Sequence, residues 1–568
     1  MNLRIISDNN KNDFSLNKIK FNTSIQFNRI AFIFFIFFVI YLIYTFHLIH
    51  LGLKKSYNKQ SNNFSSISTK FQRADIIDIN GNYLAKTVSS IDVGIKPEDI
   101  IDKKKLILNL KYIFPNKDFV EIEQRIEKNK FFKFERRITP DNYEKIMKLG
   151  DKSIVAEENV IRLYPQKNLF SHIIGQIDDG NKGISGLEKS LDERLKYSKD
   201  PIRLTVDKEI QFLIRSELVR YQEIFKNKGA AALLMNVNNG DIISLVSLPD
   251  FDPNLRENIT DANYINKVTK GTYELGSVFK SFTYAAALNE ELIKPESEFL
   301  NLPKTIYCGR FPISEYDEKI PSDLTAEKIL IRSGNIGSVR IAEKIGSEKF
   351  KFFLEKIGVL GQINFDIEEI ASDKNFEFDR CRLETAAFGH GITTTILQLA
   401  KGYSILSNGG FYIEPRLIKR KKNEEPKNQI LNDGVSEKVV SALRKIVNTE
   451  EGTANLADVN GYEIAGKTGT AQQPIEGEYS RAKINTFASV FPSSKPEYVF
   501  IVMLDTPKKS TDYVYTLRNN KGIIKGTPFN TAGWTAVEVA AKIIEKIGPI
   551  LATKSLEVEE NDFERLLQ

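Results

Sequence analysis

One apolar segment near the N-terminus constrains the fold more than any other feature of the chain. The segment from Ile30 to Leu53, IAFIFFIFFVIYLIYTFHLIHLGL, carries no formally charged side chain over 24 positions when its two histidines are neutral. As a helix it would be about 36 Å long, enough to cross the hydrocarbon core of a bilayer. A buried core helix and a cleaved signal peptide are the alternatives, but the run is too long for a signal sequence and no small-residue cleavage site follows it. We therefore predict an uncleaved transmembrane helix over residues 30–53.

The charges beside this segment predict its orientation. Basic residues lie on both sides of it, with more before it than after it: Arg4, Lys11, Lys18, Lys20 and Arg29 before, and Lys54, Lys55 and Lys59 after. Because the flank richer in Lys and Arg tends to stay in the cytoplasm, residues 1–29 are predicted to be a cytoplasmic tail. The chain from residue 54 onward would then be exported.

The composition argues against some classes of function for the exported part. The 568 residues are 41% hydrophobic and 27% charged, as in a globular protein with more than one domain. A formal net charge of +6 spread along the chain does not favour nucleic acid as a partner. Two cysteines and four histidines match no metal-ligand spacing, so no metal site is predicted. Cys308 and Cys381 are able to pair in an oxidising compartment or to remain two buried thiols, and the sequence does not decide between these states.

Changes in sequence pattern divide the exported part. Residues 54–70 are rich in Ser, Asn and Lys and are predicted to be a polar linker. Residues 71–200 mix short β-like runs with amphipathic stretches and an Asn-Gly turn, which indicates an irregular α+β module. A second domain is predicted over residues 201–550. The last residues, 551–568, are acidic and are predicted to form a loosely held tail.

The pattern of residues 201–550 predicts one sheet with helices packed on it. The stretch from Leu204 to Phe225 has helical spacing after Asp207, which is a good N-cap residue. Two β-like runs around Asn238-Asn239-Gly240 predict a hairpin. Further strand-like runs follow a helical middle section, at Tyr462 to Ala465 and at Glu497 to Leu504. Strands at both ends of a domain that encloses helices indicate a single sheet.

Three short signatures in this second domain carry chemistry. Ser277 and Lys280 lie one helical turn apart in YELGSVFKSFTYAAALN, so the lysine amine is able to reach the serine hydroxyl, as a nucleophile and its base require. A Ser-Gly-Asn turn follows at Ser333 to Asn335, and Lys-Thr-Gly-Thr follows at Lys467 to Thr470. Each is common alone, since Ser-x-x-Lys also occurs at Ser15, Ser56 and Ser480. The three in this order and spacing indicate active-site serine chemistry.

With these signatures the chain resembles the class B penicillin-binding proteins, the D,D-transpeptidases that cross-link peptidoglycan. The resemblance continues through AALLMNVNNGDIISLVSLPDFDPN (231–254), FGHGITTTILQLAKGYSILSNGG (388–410), EGTA (451–454) and GYEIAGKTGTAQ (461–472), and upstream through RADIIDINGNYLA (73–85) and GISGLEKSLD (183–192). It therefore covers nearly the whole exported part. The chain departs from the usual pattern at Ala74, Ile79 and His390, where Gly, Arg and Gln are typical.

The resemblance implies a fold and a location. The implied fold is the penicillin-binding transpeptidase fold, an α/β (α+β) architecture with an antiparallel sheet flanked by helices and an all-helical lobe. A single transmembrane helix and a non-catalytic α+β pedestal of the dimerisation type would precede it, as residues 30–53 and 71–200. The protein would span the inner membrane once, with its catalytic domain in the periplasm, and it would need no cofactor.

The resemblance also implies roles for the three signatures. The implied catalytic residues are Ser277 as acyl-ester nucleophile, Lys280 as general base, Ser333 as proton relay, and Lys467. The implied substrate-binding residues are Asn335, which orients the substrate amide, and Thr468, Gly469 and Thr470 on the strand that binds the donor peptide. Lys280 acts as a base only if its pKa is lowered, which burial and a second nearby cation would do, and Lys467 is the predicted cation. Gly466 and Gly469, which flank Lys467 and Thr468, are predicted to leave room for the peptide along the strand.

The third signature also permits an alternative function, that of an ATPase, because GYEIAGKTGT satisfies the phosphate-binding pattern G-x-x-x-x-G-K-T. The apolar run from Tyr498 to Asp505 resembles the strand that accompanies such a loop. A phosphate loop needs a helix directly after its Lys-Thr, but TAQQPIEGEYS has no helical period. We therefore favour the Lys-Thr-Gly interpretation over an ATPase.

Several alternatives stay open within the resemblance. They are a β-lactam-binding sensor without turnover, a D,D-carboxypeptidase or β-lactamase, and an elongation-specific transpeptidase. The Ala-Gly-Trp at Ala532 to Trp534, the length and the short N-terminal tail are more similar to the septal, cell-division enzyme. The implied partners are donor and acceptor stem peptides of peptidoglycan, β-lactams, a membrane glycosyltransferase and division-complex proteins.

Overall fold

The computed structural model describes residues 23–53, 73–255, 264–368, 371, 377, 379–420, 428–475, 478–518 and 522–567. The chain divides into two units, Met1–Lys70 and Phe71–Gln568. The predicted linker, residues 54–70, lies outside the described residues.

The first unit contains one long helix, α1 (Thr23–Leu53), which begins seven residues before the predicted start. Its window Ala31–Leu48 has a mean hydropathy of 2.3, and none of that window is buried. The helix is long and apolar enough to cross a membrane. Between Phe32 and Leu48 the large Phe, Ile and Tyr side chains of this helix are exposed, which is consistent with a membrane anchor.

The second unit begins with an α+β part, residues 73–203, which we call the pedestal. Its strands are β1 (Ile76–Ile77), β2 (Tyr83–Ile95), β3 (Phe132–Glu135), β4 (Ile154–Leu163) and β5 (Ile202–Arg203). Its helices are α2 (Lys103–Ile113), α3 (Phe119–Glu127), α4 (Pro140–Met147), α5 (Ser171–Ile174), α6 (Gly186–Ser190) and α7 (Asp192–Tyr197). The long strand β2 pairs antiparallel with β1, β3 and β4, and β5 pairs parallel with β1. The predicted Asn-Gly turn joins β1 to β2, with φ of +88° at Gly81.

The two pedestal motifs seen in the sequence meet in a buried ion cluster. Arg73 Nε donates to Glu188 Oε2 at 2.8 Å, and Arg162 Nε donates to Glu188 Oε1 at 2.7 Å. These three side chains are at most 1% exposed. Arg73 also donates to the carboxylate of Asp192 at 2.6 Å. The cluster therefore joins residues 115 positions apart in the sequence and ties the first pedestal motif to the second.

The turn after β1 connects the pedestal to the helix that opens the second domain. Asp78 accepts hydrogen bonds from its own turn, at Asn80 N and Asn82 N, and from Lys208 N at 3.1 Å. Asn80 Nδ2 donates to Asp207, the predicted N-cap, at 2.9 Å. Asp207 in turn accepts from the first backbone N–H groups of the helix, so the prediction of this cap is confirmed.

The rest of the second unit contains the main sheet. The strands in this part of the chain are β6 (Gly229–Asn236), β7 (Ile242–Leu248), β8 (Glu298–Phe299), β9 (Thr305–Cys308), β10 (Phe311–Ser314), β11 (Leu324–Thr325), β12 (Ala465–Ile475), β13 (Glu478–Phe491), β14 (Tyr498–Asp505), β15 (Val514–Thr516) and β16 (Ile523–Lys525). Five of them form an antiparallel sheet in the order β12-β13-β14-β6-β7. The predicted hairpin around Asn238 is β6-β7. Strands β6 and β14 read as continuous apolar runs because they are central and buried on both faces.

Helices cover this sheet and form a lobe beside it. They are α8 (Lys208–Phe225), α9 (Lys280–Asn289), α10 (Ala326–Arg332), α11 (Asn335–Ile345), α12 (Ser347–Lys356), α13 (Arg380–Ala386), α14 (Ile396–Ser407), α15 (Val435–Asn448) and α16 (Ala536–Leu567). Helices α8 and α16 contact each other and the sheet, and α14 and α15 do the same. Helices α9 to α13 pack mainly on one another. The predicted antiparallel sheet with flanking helices and a helical lobe is confirmed.

Two predictions about local structure were wrong or incomplete. Tyr462 to Ala465 is not a strand: β12 begins only at Ala465, because Gly461 and Glu463 have φ of +87° and +46°, which no strand accommodates. The acidic residues from Ser555 continue helix α16 as far as Leu567. Their side chains beyond Leu556 lie outside the described residues, so the predicted looseness of this tail stays a prediction.

Candidate active site

Ser277 lies in a 3-10 turn, Gly276–Phe279, that leads directly into helix α9. Gly276 has φ of +62°, and a Cβ on it would lie 3.0 Å from the carbonyl oxygen of Thr470 on β12. On the other side, Tyr403 Oη donates to the carbonyl of Val278 at 2.9 Å. The turn is thus held between the edge strand β12 and helix α14, with Ser277 half-buried.

The amine of Lys280 is held by the second signature. Its Nζ donates to the carbonyl oxygen of Ser333 and to Asn335 Oδ1, both at 2.6 Å, and lies 3.3 Å from Ser333 Oγ. The backbone N–H of Lys280 donates to the carbonyl of Ser277. Among the described residues, however, no hydrogen bond joins the Lys280 amine to the Ser277 hydroxyl, although the two side chains share the same helical face. The direct contact that the spacing makes possible is therefore not formed in this structure, and Lys280 reaches a proton relay candidate instead.

Ser333 and Asn335 form the predicted turn between two helices. Helix α10 ends at Arg332, and Ser333 takes the left-handed conformation with φ of +58°. A left-handed residue at this position reverses the chain and lets α11 start at Asn335. This turn brings the hydroxyl, the carbonyl and the amide of the signature to one side, facing Lys280.

Glu315 anchors this turn, and no motif pointed to it. Its two carboxylate oxygens accept from Asn335 N at 2.7 Å and Ile336 N at 2.9 Å, the first free N–H groups of α11. Asn335 Nδ2 donates to the carbonyl of the preceding residue, Ser314, at 2.8 Å. A carboxylate at a helix N-terminus is favoured by the helix dipole. Glu315 therefore fixes the orientation of Asn335 from 20 residues away in the sequence.

Lys467 completes the cluster from strand β12. Its Nζ donates to Ser333 Oγ at 2.8 Å and to the carbonyl of Thr468 at 3.2 Å. The Ser333 hydroxyl consequently lies between two lysine amines, 2.8 Å from one and 3.3 Å from the other. Lys280 and Lys467 are both buried, with 1% and 0% of their surface exposed. The three signatures thus meet at the hydroxyl of Ser333, in the second signature, which is contacted by Lys280 of the first and Lys467 of the third.

Burial changes the charge that these lysines carry. Burial lowers the pKa of Lys280 to about 7, against the opposing attraction of the Glu315 carboxylate. Burial, followed by repulsion from Lys280, holds the pKa of Lys467 well below its ordinary value. Of the two predicted causes, burial lowers the pKa of Lys280, and repulsion between the amines adds to burial in lowering the pKa of Lys467. Near neutral pH, the pair carries fewer than two positive charges.

The Lys-Thr-Gly-Thr stretch lies within β12, at the edge of the main sheet. Lys467 pairs with Ala488 and Thr470 with Asn485 of β13, and no helix follows Thr468. The phosphate-loop alternative is therefore excluded by the backbone. A Cβ on Gly469 would collide with the carbonyl of Leu275. Gly469 thus permits the close approach of the Ser277 turn to β12, and its predicted role in leaving room for a peptide stays a prediction.

Two further motifs support this strand. Thr453, in EGTA, forms a hydroxyl–hydroxyl hydrogen bond of 2.8 Å with Thr468. The backbone N–H of Ala532, in Ala-Gly-Trp, donates to Thr470 Oγ1 at 2.9 Å. The sequence showed these motifs only as part of the resemblance. Their position identifies Thr453 and Ala532 as residues that orient the side chains of the edge strand.

A disulfide holds the hairpin that delivers Glu315. Cys308 on β9 is bonded to Cys381 on α13, with 5.6 Å between the Cα atoms. Strand β10 of the same hairpin ends at Ser314, directly before Glu315. The structure therefore selects the paired state of the two cysteines, which the sequence left open. The bond ties the Glu315 hairpin to the helical lobe.

Comparison with known proteins agrees with this arrangement. Residues 230–525 match the family described as Penicillin binding protein transpeptidase domain, and residues 68–223 match the Penicillin-binding Protein dimerisation domain. The chain is 28% identical, over 85% of its length and 82% of the relative, to a probable peptidoglycan D,D-transpeptidase FtsI of Caulobacter vibrioides. It is 27% identical to the stage V sporulation protein D of Bacillus subtilis, over 78% of this chain and 75% of that protein.

Solved structures show the same fold. A peptidoglycan synthetase from Bifidobacterium adolescentis superposes with a TM-score of 0.63 at 20% identity, over 86% of this chain and 96% of that one. Penicillin binding protein 3 from Mycobacterium tuberculosis gives the same TM-score at 21% identity, over 85% and 96%. At these identities the likeness concerns the fold alone. Together with the two domain matches, it shows that the chain belongs to the penicillin-binding protein family, as a class B transpeptidase whose transpeptidase domain follows a dimerisation-type domain.

Proposed function

We propose that the protein cross-links peptidoglycan stem peptides through an acyl-ester on Ser277. The observation that carries this proposal is the buried Ser333 hydroxyl that accepts hydrogen bonds from Lys280 and Lys467 beside the Ser277 turn. A lysine with a pKa of about 7 is a competent general base at neutral pH. The cluster thus contains a nucleophile, a base and a path for the proton.

In the first step, Ser277 Oγ attacks the carbonyl between the two terminal D-alanines of a donor stem peptide. An ester bond forms, the C–N bond to the last D-alanine breaks, and the Ser277 proton passes to neutral Lys280. The hydroxyl of Ser333 then carries a proton from Lys280 to the leaving amine. Its distances of 3.3 Å and 2.8 Å to the two lysine amines suit this relay.

In the second step, an amine of a neighbouring stem peptide attacks the ester carbon. The new amide bond forms, the C–O bond to Ser277 breaks, and a proton of the amine returns to the Ser277 oxygen through Lys280. The donor peptide would lie along Thr468, Gly469 and Thr470 on the edge strand, with its terminal carboxylate near Lys467. The backbone N–H groups of Ser277 and Thr470 are the proposed oxyanion donors.

The proposal is tested by the covalent adduct and by the product. Full-length protein in detergent, treated with a fluorescent penicillin, should gain one label on the peptide that contains Ser277, as read by mass spectrometry. Incubation with a donor and an acceptor stem peptide should then give a cross-linked product. Release of D-alanine without cross-linking would favour a D,D-carboxypeptidase or β-lactamase, and an absence of any label would favour a sensor or inert scaffold.

The pH dependence of acylation follows from Lys280. Burial lowers the pKa of Lys280 to about 7, so the amine becomes the neutral base as the pH rises through that value. We expect the acylation rate constant to rise about tenfold per pH unit well below pH 7 and to level off above it. Stopped-flow measurements with a penicillin between pH 5 and 9 check this profile. A rate that does not change across this range would contradict the role of Lys280 as base.

Glu315→Gln provides a variant that moves this profile. The Glu315 carboxylate raises the pKa of Lys280 by attraction, and a neutral amide removes that attraction. We therefore expect the rising limb to shift to lower pH, together with a lower plateau because an amide retains only one acceptor for the N–H groups of Asn335 and Ile336. Glu318→Gln on the same loop, with an exposed side chain, is the matched control and should keep the original profile.

The cellular role that we propose is septal cross-linking. The Ala-Gly-Trp stretch and the resemblance to the division enzymes support it, and the transpeptidase would depend on a separate membrane glycosyltransferase and on division-complex proteins. Helix α1 would anchor the protein once in the inner membrane, with the pedestal and the transpeptidase domain in the periplasm. The disulfide fits an oxidising compartment. A tagged copy should accumulate at midcell, whereas uniform sidewall signal would favour the elongation-specific alternative.

A further inference from the structure

A buried carboxylate lies immediately before the nucleophile turn. Glu274 is three residues before Ser277, and its side chain is only 7% exposed. It accepts a hydrogen bond from Tyr479 Oη, at 3.1 Å to one oxygen and 3.4 Å to the other. His390 Nδ1 lies 3.4 Å from the same carboxylate. None of the proton transfers described above uses Glu274.

In the part of the chain that the structure describes, no lysine or arginine forms an ion pair with this carboxylate. Its only ion-pair partner there is His390, whose ring carries a charge only when it is protonated. Burial and the charge of Glu274 raise the pKa of Tyr479, so the phenol stays protonated and neutral. A buried carboxylate without a paired cation is costly, because its loss of hydration is not repaid. The site is therefore one that a ligand cation would stabilise.

The cluster opens beside Ser277. A Cβ on Gly389 would collide with the carbonyl of Gly276, so the chain before His390 lies directly on the nucleophile turn. Backbone hydrogen bonds of 3.0 and 3.1 Å pair Tyr273 with Thr394 and continue this contact. The rings of His390 and Tyr479 stack at 4.6 Å, and these residues are 40% and 45% exposed. Two accessible rings thus surround the buried carboxylate.

Charge separates this cluster from the donor site. The amines of Lys280 and Lys467 lie where the donor peptide and its carboxylate are placed, and their N–H groups are hydrogen-bond donors for a carboxylate. Glu274 would repel the same donor group. The second substrate of the proposed reaction is different, since the acceptor stem peptide presents a primary amine that is an ammonium ion when it arrives from solution. A negative site next to the acyl-ester matches that group and not the donor.

We propose that Glu274, with Tyr479 and His390 around it, is the binding site for the ammonium group of the acceptor stem peptide. The inference rests on the proposed transpeptidation and adds the recognition of the second substrate. Glu274 accepts hydrogen bonds from the ammonium, and the exposed Tyr479 ring provides a face for a cation. Once the bound ammonium has released one proton to solvent, the neutral amine competes with water for the ester on Ser277. Glu274 is in this sense a specificity-determining residue, since it favours transfer over hydrolysis.

The test measures how one acyl-enzyme divides between two fates. Full-length protein is acylated with a D-alanyl thioester donor in the presence of a tripeptide that ends in meso-diaminopimelate, and cross-linked and hydrolysed donor are quantified together. Glu274→Gln should lower the ratio of transfer to hydrolysis about tenfold or more, through a higher KM for the acceptor. Because both products come from the same ester, a change in acylation cancels. Glu274→Asp should restore part of the ratio, and Glu290→Gln, on the surface, should keep it.

A second pair of variants covers the case in which Glu274→Gln does not fold. His390→Lys places a permanent cation against Glu274 and should compete with the acceptor, whereas His390→Gln adds no charge. The ratio of transfer to hydrolysis should therefore be about tenfold lower for His390→Lys than for His390→Gln. The inference would be overturned if the ratio of transfer to hydrolysis were equal in Glu274→Gln and Glu290→Gln, and also equal in His390→Lys and His390→Gln. A wild-type protein that a penicillin does not label would instead overturn the proposed function itself.

Discussion

Replacing Ser277 with alanine is expected to abolish covalent labelling by penicillin. The half-buried hydroxyl of Ser277 is the nucleophile beside the relay of Lys280 and Ser333, and alanine has no atom that is able to form the ester. Loss of the nucleophile should reduce acylation and cross-linking by at least about 10⁴-fold. Intact mass of the protein after treatment with a penicillin is the measurement, since the adduct adds the mass of the whole antibiotic.

The control for this variant is another serine in a helix of the same domain. Ser216 on α8 donates only to the carbonyl of Phe212, one turn earlier in its own helix. Ser216→Ala should therefore be labelled like the unmodified protein. A full adduct on Ser277→Ala that maps to a different residue would show that the nucleophile has been wrongly identified, while the fold and family would stand.

Glu188→Gln is expected to destabilise the pedestal strongly. Glu188 is fully buried between Arg73 and Arg162 and accepts from each guanidinium through a different oxygen. Glutamine keeps one acceptor, turns an NH₂ group towards an arginine, and leaves two buried cations with less compensation. Breaking a buried ion pair in this way typically costs about 3–5 kcal/mol. Urea unfolding of the full chain in detergent, followed by far-UV circular dichroism, should show a transition at a lower urea concentration than in the unmodified protein.

An exposed glutamate on the next helix is the matched control. Glu193 lies 3.5 Å from Lys196 and its side chain is 76% exposed. Exposed pairs of this kind contribute at most about 1 kcal/mol, so Glu193→Gln should leave the unfolding midpoint almost unchanged. If both variants behaved alike, the buried cluster would not be what holds the two pedestal motifs together.

The signatures of the site were predictable because each is local. Ser277 and Lys280 share a helical face at any site where Ser-x-x-Lys is helical, and a Ser-Gly-Asn turn between helical patterns predicts a chain reversal. The partner of Lys280 was not predictable in this way. Its hydrogen bonds go to residues 53 and 55 positions later in the sequence, and those contacts exist only when α10 and α11 pack on α9.

The roles of Glu315 and Glu274 were likewise not predictable from the sequence. Glu315 belongs to no signature, and Glu274 lies in the stretch YELGSVFK beside Ser277 but was given no role by the spacing of Ser277 and Lys280. The hairpin β9-β10 and the disulfide bring Glu315 to the N-terminus of α11. Glu274 is distinguished by burial, which depends on the residues that cover it, and by Tyr479, which is 205 positions away.

The stretch GYEIAGKTGT shows which conclusions follow from the sequence and which require the tertiary structure. The sequence by itself determined the apolar anchor segment, the order of the three signatures, and the residue types available for a serine acyl-transfer reaction, because these depend on composition and short spacing. It left two incompatible patterns in that stretch. Only the tertiary structure decided between them, by placing Lys467 in an edge strand against the Ser277 turn. The low pKa of Lys280 was also decided there, because removal of water from an amine requires the whole packed domain around it.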